Sequence, residues 1–542
     1  MEGRSGLPSF RRASEMLLFP SEEERSYRAF LSTFIDPKSE SLLFDMRPKG
    51  RTLSSFLKAL PEGETVAKLR LAGGGEIPLS EKLLSRHVYV QGSIGSGKTT
   101  LLKWLLSDIF ERRKPGEKVV VFDPKGDYLA LAKQEGVPYI IVSENYAMNP
   151  VRWNVFREIL GGEKPVIPKT NMLLRKVERR TSATFYDFTR LNKELYARLK
   201  NIATRIIWTR ADMVKGSADD VYFTHNAPTS VFQGLLSCCI IEAALIERGE
   251  GGFLLPSYGV RGLSDLSNEV VAKLAQENGK VLHEFLSFYR ASEAAEHINP
   301  SGSPGQAQGV LSLFRMYTSD VFSLVFSERG NWSMAEELHD PNFKVVFLEY
   351  RMDEERTALP VFSAVISNMM AEVLSTRFRG KKLYVFLDEL HAFPKVQEMQ
   401  TFLNMTRDLG GIVVAATQSV AQLYDKYGEQ EAKAIISAFN TRVFLRTTDE
   451  ASLKLVNDTI GELLVRRMNK THGKEGKSFS VQTERKTLTA RTMSVLSVGS
   501  GILWTTGTHP LFIKLADFKR EHNKSMYADR AFKDRGPEGL HR

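Results

Sequence analysis

The amino-acid sequence predicts an α/β protein with a mainly parallel central sheet and an inserted all-α region. Apolar runs typical of buried strands alternate with helical periodicity over residues 87–123, and again over residues 343–447. Between about residues 161 and 330, almost every segment has helical periodicity and strand signals are nearly absent. This order predicts a sheet domain that is interrupted in sequence by an all-α domain.

Composition sets the broad class. The length of 542 residues favours two or three domains, and 42% hydrophobic with 25% charged residues is typical of a globular protein. The net charge of +10 fits either simple solubility or a polyanionic partner, such as nucleic acid or an acidic membrane surface. Cys238 and Cys239 are the only thiols, and sequence neighbours rarely bridge. They predict core packing, a reducing compartment and no structural metal site.

The sequence predicts no membrane-spanning helix. The longest apolar stretch, Val231–Ile246, contains Gln233 and Glu242 and is shorter than the roughly 20 residues that a span needs. A buried helix is therefore predicted there. The N-terminus has arginines but lacks the apolar core of a secretory signal, so a cytoplasmic location is expected.

The first elements of the sheet lie between residues 66 and 123. A small strand and a glycine turn precede a buried strand at His87–Gln91. A helix is predicted over 99–113 and a second buried strand over 118–123. One face of this helix carries Leu101, Leu102, Leu105 and Ile109. Strand, helix and strand in this order form a βαβ unit, whose two strands are parallel.

A glycine-rich loop joins that strand to that helix. Residues 92–99 read GSIGSGKT and match the pattern G-x-x-x-x-G-K-[ST]. Glycines allow backbone N–H groups to turn toward phosphate oxygens, and the helix N-terminus adds the positive end of its dipole. The residues predicted to bind a nucleoside triphosphate are Gly92, Ser93, Ile94, Gly95, Ser96, Gly97, Lys98, Thr99 and Thr100. Lys98 is expected on the β- and γ-phosphates, and Thr99 on Mg²⁺.

An acidic pair follows a later buried strand. Asp388 and Glu389 come directly after LYVFL, at the strand end where ligands bind in open α/β sheets. Asp388 is predicted to hold Mg²⁺ through water, and Glu389 to polarise the attacking water as a general base. An acidic pair that caps a helix is the structural alternative.

The spacing of these two motifs separates the classes of P-loop protein. Further strands lie between the motifs, and the glutamate directly follows the aspartate, as in the additional-strand ATPases, which include RecA-like motors, AAA+ proteins, helicases and ABC transporters. The sequence has no N-K-x-D, which disfavours a GTPase, and no L-S-G-G-Q, which disfavours an ABC transporter. ATP is therefore the expected nucleotide, in a RecA-like domain.

Four further residues have two interpretations each. Gln418, at the end of the strand GIVVAATQ, either contacts the γ-phosphate or the attacking water, or is a turn residue. Arg407 is either a surface arginine or an arginine finger that reaches a neighbouring subunit's nucleotide. Arg315 is a weaker candidate for the same role, with a solvated helix arginine as the alternative. Asp123, in DPKGD, either assists near the metal or caps the next helix.

Two segments are rich in basic residues. Residues 172–215 contain eleven Lys/Arg against four Asp/Glu, and residues 466–491 contain eight against two. Either segment is a solvated face, or tracks a nucleic-acid backbone without reading sequence. The first segment also contains Phe185, Tyr186, Tyr196 and Trp208. The second is polar and glycine-containing, which predicts a mobile segment, and residues 501–518 after it predict a hairpin.

These signals give a division of the chain. We expect an N-terminal extension at 1–65, the first part of the RecA-like nucleotide-binding domain at 66–160, and the inserted all-α domain at 161–330. The second part of the nucleotide-binding domain is expected at 331–520, followed by a C-terminal tail at 521–542.

In this order, the motifs resemble those of the conjugative type IV coupling proteins of the TraD/TrwB type, within the HerA/FtsK-like P-loop DNA-pumping ATPases. The resemblance covers about residues 70–520 and is strongest in the phosphate loop and at 383–428. It implies a ring-shaped homo-hexamer that hydrolyses ATP with Mg²⁺, drives DNA through its channel and links a relaxase–DNA complex to a type IV secretion channel. It also implies catalytic roles for Lys98, Glu389, Arg407 as a trans arginine and Gln418 as a coupling residue, with Thr99 and Asp388 at the metal.

One departure from the family bears on location. Its members usually begin with two transmembrane helices, which this sequence does not show. A membrane-free form, a trimmed form or a separate membrane partner would each account for this. A cytoplasmic protein is expected, with peripheral attachment at the inner face of the bacterial cell membrane as an option. The alternatives in function are a non-translocating ATP-binding adaptor that recruits secretion substrates, and a chromosomal DNA pump of the HerA/FtsK type.

Overall fold

The structure is a computed structural model that describes residues 22–34, 40–42, 51–144, 151–165, 193–213, 221–349, 355–396, 398–473 and 476–518. The basic segment at 172–215 lies largely outside these residues, and so do its aromatic residues Phe185 and Tyr186. Tyr196 and Trp208 lie inside them, on a helix.

The strands are β1 Glu40–Leu42, β2 Thr65–Arg70, β3 Glu76–Ser80, β4 Val88–Gln91, β5 Glu117–Phe122, β6 Tyr139–Val142, β7 Lys344–Leu348, β8 Lys382–Leu387, β9 Gly411–Thr417, β10 Thr441–Leu445, β11 Leu463–Gly473, β12 Gly476–Lys486, β13 Ser500–Thr505 and β14 Leu511–Lys514.

The α-helices are α1 Glu22–Phe34, α2 Arg51–Ala59, α3 Glu81–Leu84, α4 Lys98–Arg112, α5 Leu129–Gln134, α6 Val155–Leu160, α7 Lys193–Met213, α8 Ala227–Glu247, α9 Asn268–Ala275, α10 Gly279–Phe288, α11 Ser292–His297, α12 Pro304–Val321, α13 Met334–Glu337, α14 Glu355–Val373, α15 Met399–Met405, α16 Val420–Tyr427, α17 Glu429–Ser437, α18 Glu450–Ile460 and α19 Ala490–Ser494.

A nine-stranded sheet in the order β14-β13-β10-β4-β9-β8-β5-β7-β6 forms the centre of the molecule. All neighbours from β10 to β6 are parallel, whereas β13 and β14 are antiparallel. The parallel strands are short, apolar and almost fully buried, as expected for a sheet covered on both faces. The predicted α/β fold with a mainly parallel sheet is confirmed, and so is the late hairpin, which is β13 and β14.

One face of the sheet is covered by α4, the β2–β3 pair and the last described residues. The sequence predicts a single apolar face on α4, but the helix is buried nearly all round, including Lys103 and Asp108. Asp108 is tolerated in this position because Arg70 donates to it at 2.6 Å and 3.1 Å. Trp104 Nε1 donates to Ala516 O at 3.2 Å, which fixes the end of the described chain on the helix.

The other face of the sheet is covered by helices. In the described part of the chain, the elements between β6 and β7 are helices, and α7, α8, α12 and α14 share one apolar core with the sheet. Helix α8 contains the predicted apolar stretch, and Cys238 and Cys239 are buried in it. Residues Tyr222–Glu247 pass a length-and-composition test for a membrane span, and 78% of the tested window is buried inside the protein. The prediction of a buried helix here is confirmed.

Two sequence predictions in the second half need correction. Residues 466–491, predicted as a mobile polar segment, contain most of an antiparallel hairpin, β11 and β12, which joins β1 in a three-stranded sheet. The polar composition hid the strands because both faces of most of the hairpin lack an apolar period. Residues 395–410, KVQEMQTFLNMTRDLG, have a helical pattern that predicts one helix, but α15 ends at Met405 and a 3₁₀ turn, Thr406–Asp408, follows.

Candidate nucleotide-binding and hydrolysis site

The predicted site residues follow four neighbouring strands. Strands β4, β9, β8 and β5 are adjacent and parallel, so their carboxyl ends meet at one edge of the sheet. The phosphate loop follows β4, Gln418 follows β9, and Asp388 and Glu389 follow β8. Asp123 follows β5. Strand order therefore brings together side chains that are almost 300 positions apart in the chain.

The phosphate loop has a conformation that its glycines permit. A Cβ at Gly92 would lie 2.5 Å from Ser96 Oγ and 2.8 Å from Leu445 Cβ, so no side chain fits there. Gly97 has φ +112°, and a Cβ on it would lie 3.1 Å from Gly499. Ser96 Oγ is buried without a hydrogen-bond partner among the described residues. The loop is tight, it precedes a helix, and it contains a buried polar atom without a hydrogen-bond partner. These three features are expected of a phosphate-binding loop.

Lys98 folds back over the same loop. Its Nζ donates to Gly92 O at 2.7 Å and to Ser93 O at 3.2 Å. Burial lowers the pKa of Lys98, while the charges of Glu389 and Asp388 oppose that shift. The ammonium group thus lies between the loop and the acidic pair, which is the position from which it would neutralise phosphate charge.

Asp388 and Thr99 form an oxygen-only pair that suits Mg²⁺. Asp388 is 2% exposed, and its Oδ1 has no hydrogen-bond partner in the described parts of the chain. Burial raises the pKa of Asp388. The buried Tyr128 hydroxyl lies beside both Asp388 and Thr99. An unsatisfied buried carboxylate oxygen that shares the Tyr128 hydroxyl as a neighbour with Thr99 fits a divalent cation, whose other ligands would be phosphate oxygens and water.

Two donors and an imidazole surround the Glu389 carboxylate. Lys125 Nζ donates to Oε1 at 2.7 Å, and Gln418 Nε2 donates to the same oxygen. His391 Nδ1 lies 3.3 Å from Oε2. Burial alone would raise the pKa of Glu389, but these three neighbours lower it to about 2. Glu389 is therefore held ionised, which a general base requires, although the same contacts weaken its basicity.

The remaining predicted residues separate into two groups. Asp123 Oδ2 accepts from Tyr128 N at 2.8 Å just before α5, whereas its Oδ1 is buried without a hydrogen-bond partner among the described residues; burial raises the pKa of Asp123 to about 7. Arg315 donates to the carbonyls of Ala275 and Glu277, so it caps the end of α9 rather than lying in solvent or at the nucleotide. These two side chains have structural partners.

Arg407 is, like Arg315, a predicted site residue that the fold does not bring to the site. It lies before β9, whereas Gln418 lies after it, and a seven-residue strand separates them by roughly 20 Å. Arg407 is close enough to His87, which precedes β4, to influence its pKa, so both lie at the amino edge of the sheet. The guanidinium is exposed and makes no hydrogen bond or ion pair with the described residues.

Sequence reasoning missed several residues at the site. Lys125 lies inside the DPKGD segment that was singled out, and His391 follows the acidic pair by two positions, so local signals existed for both. Arg446 and Gly499 gave no such signal. Ser93 N donates to Arg446 O at 2.8 Å, and Gly499 N donates to Ser96 O at 2.7 Å, so β10 and the turn before β13 complete the wall of the loop.

Family models match most of the chain. Residues 260–501 match the model of the type IV secretion-system coupling protein DNA-binding domain, and residues 71–211 match that of the central domain of helicase HerA. The coupling protein TraD of Escherichia coli (strain K12) is 21% identical over 395 residues. The match covers 72% of this chain and 45% of TraD, so the chain spans less than half the length of that relative.

Solved structures show the same fold. The bacterial conjugative coupling protein TrwBdeltaN70 superposes with a TM-score of 0.60 at 19% identity, over 90% of this chain and 94% of that one. TrwB in complex with the non-hydrolysable ATP analogue ADPNP gives 0.59 at 20% identity, over 90% and 97% of the two chains. TrwB has also been solved with ADP and Mg²⁺.

Fold and site together define a RecA-like P-loop nucleotide-binding protein of the additional-strand class. The two family models match separate stretches of the chain, and neither covers half of it. The chain is similar in sequence to the coupling protein TraD and in fold to TrwB.

Proposed function

We propose that the protein is an ATP-driven, DNA-translocating motor that acts as a coupling protein in conjugative transfer, linking a relaxase–DNA complex to a type IV secretion channel. The observation that carries the proposal is the convergence of Lys98, Glu389 and Gln418 at one sheet edge, in a chain whose residues 260–501 match the coupling protein DNA-binding domain. A site built for hydrolysis, rather than for nucleotide binding alone, favours a motor.

The hydrolytic roles follow from these contacts. Lys98 neutralises charge on the β- and γ-phosphates, and the loop amides hold the phosphate oxygens. Mg²⁺, held by Thr99 and through water by Asp388, would supply positive charge toward the β- and γ-oxygens. Glu389 takes a proton from the water whose oxygen attacks the γ-phosphorus, and the bond to the β–γ bridging oxygen breaks. Its Oε1 is engaged by Lys125 and Gln418, so Oε2 is the oxygen that faces this task.

Gln418 and Arg407 connect this chemistry to assembly in our proposal. Gln418 joins the base to the end of β9, and Arg407 lies at the beginning of the same strand. An arginine roughly 20 Å from its own site would act only on a neighbour's nucleotide. This supports a site shared between neighbouring chains. We propose that the assembly is a homo-hexameric ring in the cytoplasm, with peripheral attachment to the inner face of the membrane through channel components or a separate membrane partner.

The test is the rate of ATP hydrolysis with and without single- or double-stranded DNA, measured across protein concentrations. A motor predicts a rate that rises with DNA and with assembly, whereas a recruitment adaptor predicts no response to DNA. If DNA did not raise the rate of ATP hydrolysis at any protein concentration, the proposal would be overturned. A HerA/FtsK-type chromosomal pump would also respond to DNA, but would not bind a relaxase.

Two variants establish that the measured rate belongs to this site. Lys98→Ala should abolish hydrolysis because the phosphate charge loses its partner. Glu389→Gln should retain nucleotide binding and lose about 10²- to 10⁴-fold in turnover, because only the proton acceptor is removed. Lys433→Ala, an exposed lysine on α17, is the matched control and should leave the rate unchanged.

A further inference from the structure

Lys125 contacts the acidic pair although the two are far apart in the chain. Strand β5 pairs in parallel with β8, with Phe122 opposite Leu387, so the segments that follow the two strands leave the sheet side by side. Lys125 is the third residue after β5, and Glu389 is the second after β8. Lys125 Nζ donates to Glu389 Oε1 at 2.7 Å. The ammonium group is thus bound to the carboxylate of the proposed general base.

A tight turn holds the backbone of Lys125. Gly126 N donates to Asp123 O at 3.2 Å, and Gly126 has φ +68°. Tyr128 N donates to the Asp123 carboxylate at 2.8 Å, which fixes the start of the turn. The sequence suits this conformation, since aspartate, proline and glycine at the first, second and fourth positions are preferred in β-turns. The lysine therefore extends into the site from a backbone that is held in place.

The contact with Glu389 uses one of the three donors of Lys125. An ammonium group carries three N–H groups, and within the described ranges Glu389 Oε1 is the one acceptor that they contact. The Lys125 side chain is 47% exposed, whereas that of Glu389 is 4% exposed. The lysine thus reaches the buried carboxylate from the open side of the site, and two N–H groups are available to a ligand.

Lys125 and Lys98 lie at the same acidic pair. Burial lowers the pKa of Lys98, the charges of Glu389 and Asp388 oppose that shift, and the charge of Lys125 adds to it. Burial would also lower the pKa of Lys125, but the Glu389 contact raises it, so this ammonium group stays charged. The formal charges of the two lysines and the two carboxylates cancel. Without Lys125 the site would be negative and would repel a triphosphate.

We propose that Lys125 is a catalytic residue that donates to the γ-phosphate of ATP while it remains bound to Glu389. In this role it distinguishes a triphosphate from a diphosphate and stabilises the charge that develops on the transferred group. Lys125 keeps its proton throughout: the attacking water gives its proton to Glu389, and the bridging oxygen leaves on ADP with the electron pair of the broken bond. The inference rests on the proposed function, because it assigns a residue to the phosphate that this ATPase would cleave.

A purely structural role for Lys125 predicts different results. If the lysine only stabilised the charge of Glu389, its removal would leave a stronger base, and its effect would depend on that charge. If the lysine contacts the γ-phosphate, its removal weakens triphosphate binding even in a Glu389→Gln background. This background therefore separates the two roles, and it also prevents hydrolysis during a binding measurement.

The first test measures the binding of fluorescent, mant-labelled ATP and ADP with Mg²⁺ to Glu389→Gln protein, with and without Lys125→Met. Methionine retains the length of the side chain but lacks the ammonium group. Losing a charge-assisted hydrogen bond should weaken ATP binding by roughly 10- to 100-fold and leave ADP binding unchanged, which also shows that the site is folded. Lys125→Arg retains charge and donors and should recover part of the loss. Lys133→Met, at an exposed position on α5, is the matched control and should alter neither affinity.

The second test measures turnover at saturating ATP and pH 8, with Glu389 present. Lys125→Met should lower this rate by about 10²- to 10³-fold, as expected when one donor to a developing charge is removed. A lysine that acted only through Glu389 would leave the rate unchanged or raise it, because the base becomes stronger. Either of these two results would overturn the catalytic role.

The binding outcomes separate this inference from the proposed function. If Lys125→Met left ATP binding unchanged, or weakened ATP and ADP binding equally, the lysine would not contact the γ-phosphate and the inference would be overturned. The motor proposal would survive that result if DNA still raised the hydrolysis rate of the wild-type protein. If the wild-type protein bound neither nucleotide, the inference and the proposed function would both fail.

Discussion

At the scale of single residues, the carboxylate of Glu389 is the most densely contacted group of the site. Lys125 and Gln418 share its Oε1, and His391 lies at its Oε2. Each of these neighbours stabilises the charged form, which keeps the pKa near 2 despite burial. A carboxylate whose charged form is stabilised in this way is a weak base. Weakening the Lys125 contact would therefore increase the basicity of Glu389.

Replacing Lys125 gives a prediction with a defined sign. Lys125→Ala removes a cation and a donor, so the pKa of Glu389 rises from about 2 toward its ordinary value. Glu389 must be ionised to act, and hydrolysis therefore fails as the pH falls through its pKa. The acid limb of the pH–rate profile should move to higher pH in the variant. The measurement is turnover at saturating ATP from pH 4.5 to 8, with circular dichroism to exclude unfolding. An unmoved limb would contradict the assigned role.

At the scale of elements, α4 carries the phosphate loop and is held from three directions. Trp104 is its anchor: the ring is 2% exposed, packs edge-on to Phe518 at 4.6 Å and lies under the Arg70 guanidinium at 4.4 Å. Its indole also donates to Ala516. Because the loop opens this helix, the packing of Trp104 indirectly fixes the position of Lys98.

Truncating this anchor should be costly. Trp104→Ala removes a buried ring and is expected to lower the free energy of unfolding by about 3–5 kcal/mol. Trp208→Ala, which removes a half-buried tryptophan in the helical region, is the control and should cost less. Thermal or urea unfolding followed by fluorescence measures both. If Trp104→Ala and Trp208→Ala lowered the free energy of unfolding equally, the contact of Trp104 with the last described residues would contribute little to stability.

At the scale of the whole molecule, the position of Arg407 makes one chain insufficient for full activity in our proposal. Its guanidinium lies at the sheet edge opposite to Lys98 and Glu389. A ring in which each chain presents its amino edge to the next chain's carboxyl edge would complete every site. Each subunit would then contribute Lys98 and Glu389 to its own nucleotide site and Arg407 to the site of a neighbouring subunit.

Mixing two inactive variants tests this arrangement. The Arg407→Ala variant retains a functional phosphate loop but lacks the arginine that would reach the neighbouring site. The Lys98→Ala variant retains this arginine but lacks a functional phosphate loop. If sites are shared, a mixture should regain part of the wild-type rate, because some interfaces combine an intact loop with an intact finger. The rate is measured across mixing ratios, with each variant alone as the baseline. A mixture no faster than its components would exclude Arg407 as a finger in trans.

Sequence alone was sufficient where the chemistry is local. The phosphate loop from Gly92 to Thr99 is recognisable because its glycines and lysine are contiguous, and Asp388–Glu389 because a buried strand precedes them. The Lys125–Glu389 contact was not predictable in this way, since it depends on β5 and β8 being neighbours. Arg407 was located by spacing, but only the sheet shows that its own site is out of reach.

The β11–β12 hairpin was missed for a different reason. Strand prediction relies on apolar alternation, and Leu463 and Val465 at the base are the buried residues among the described side chains of the hairpin. Past them, polar residues interrupt the apolar period of two in the sequence.

The burial of both native thiols makes the protein well suited to spectroscopic probes. Cys238 and Cys239 are 1% and 0% exposed, and burial raises the pKa of each above the ordinary thiol value, so neither should react with a maleimide in the folded state. A cysteine introduced at Ser480, an exposed position on β12, would then be the single labelled site without removal of any native residue. Paired labels on neighbouring chains would report the distances between their β11–β12 hairpins during ATP turnover.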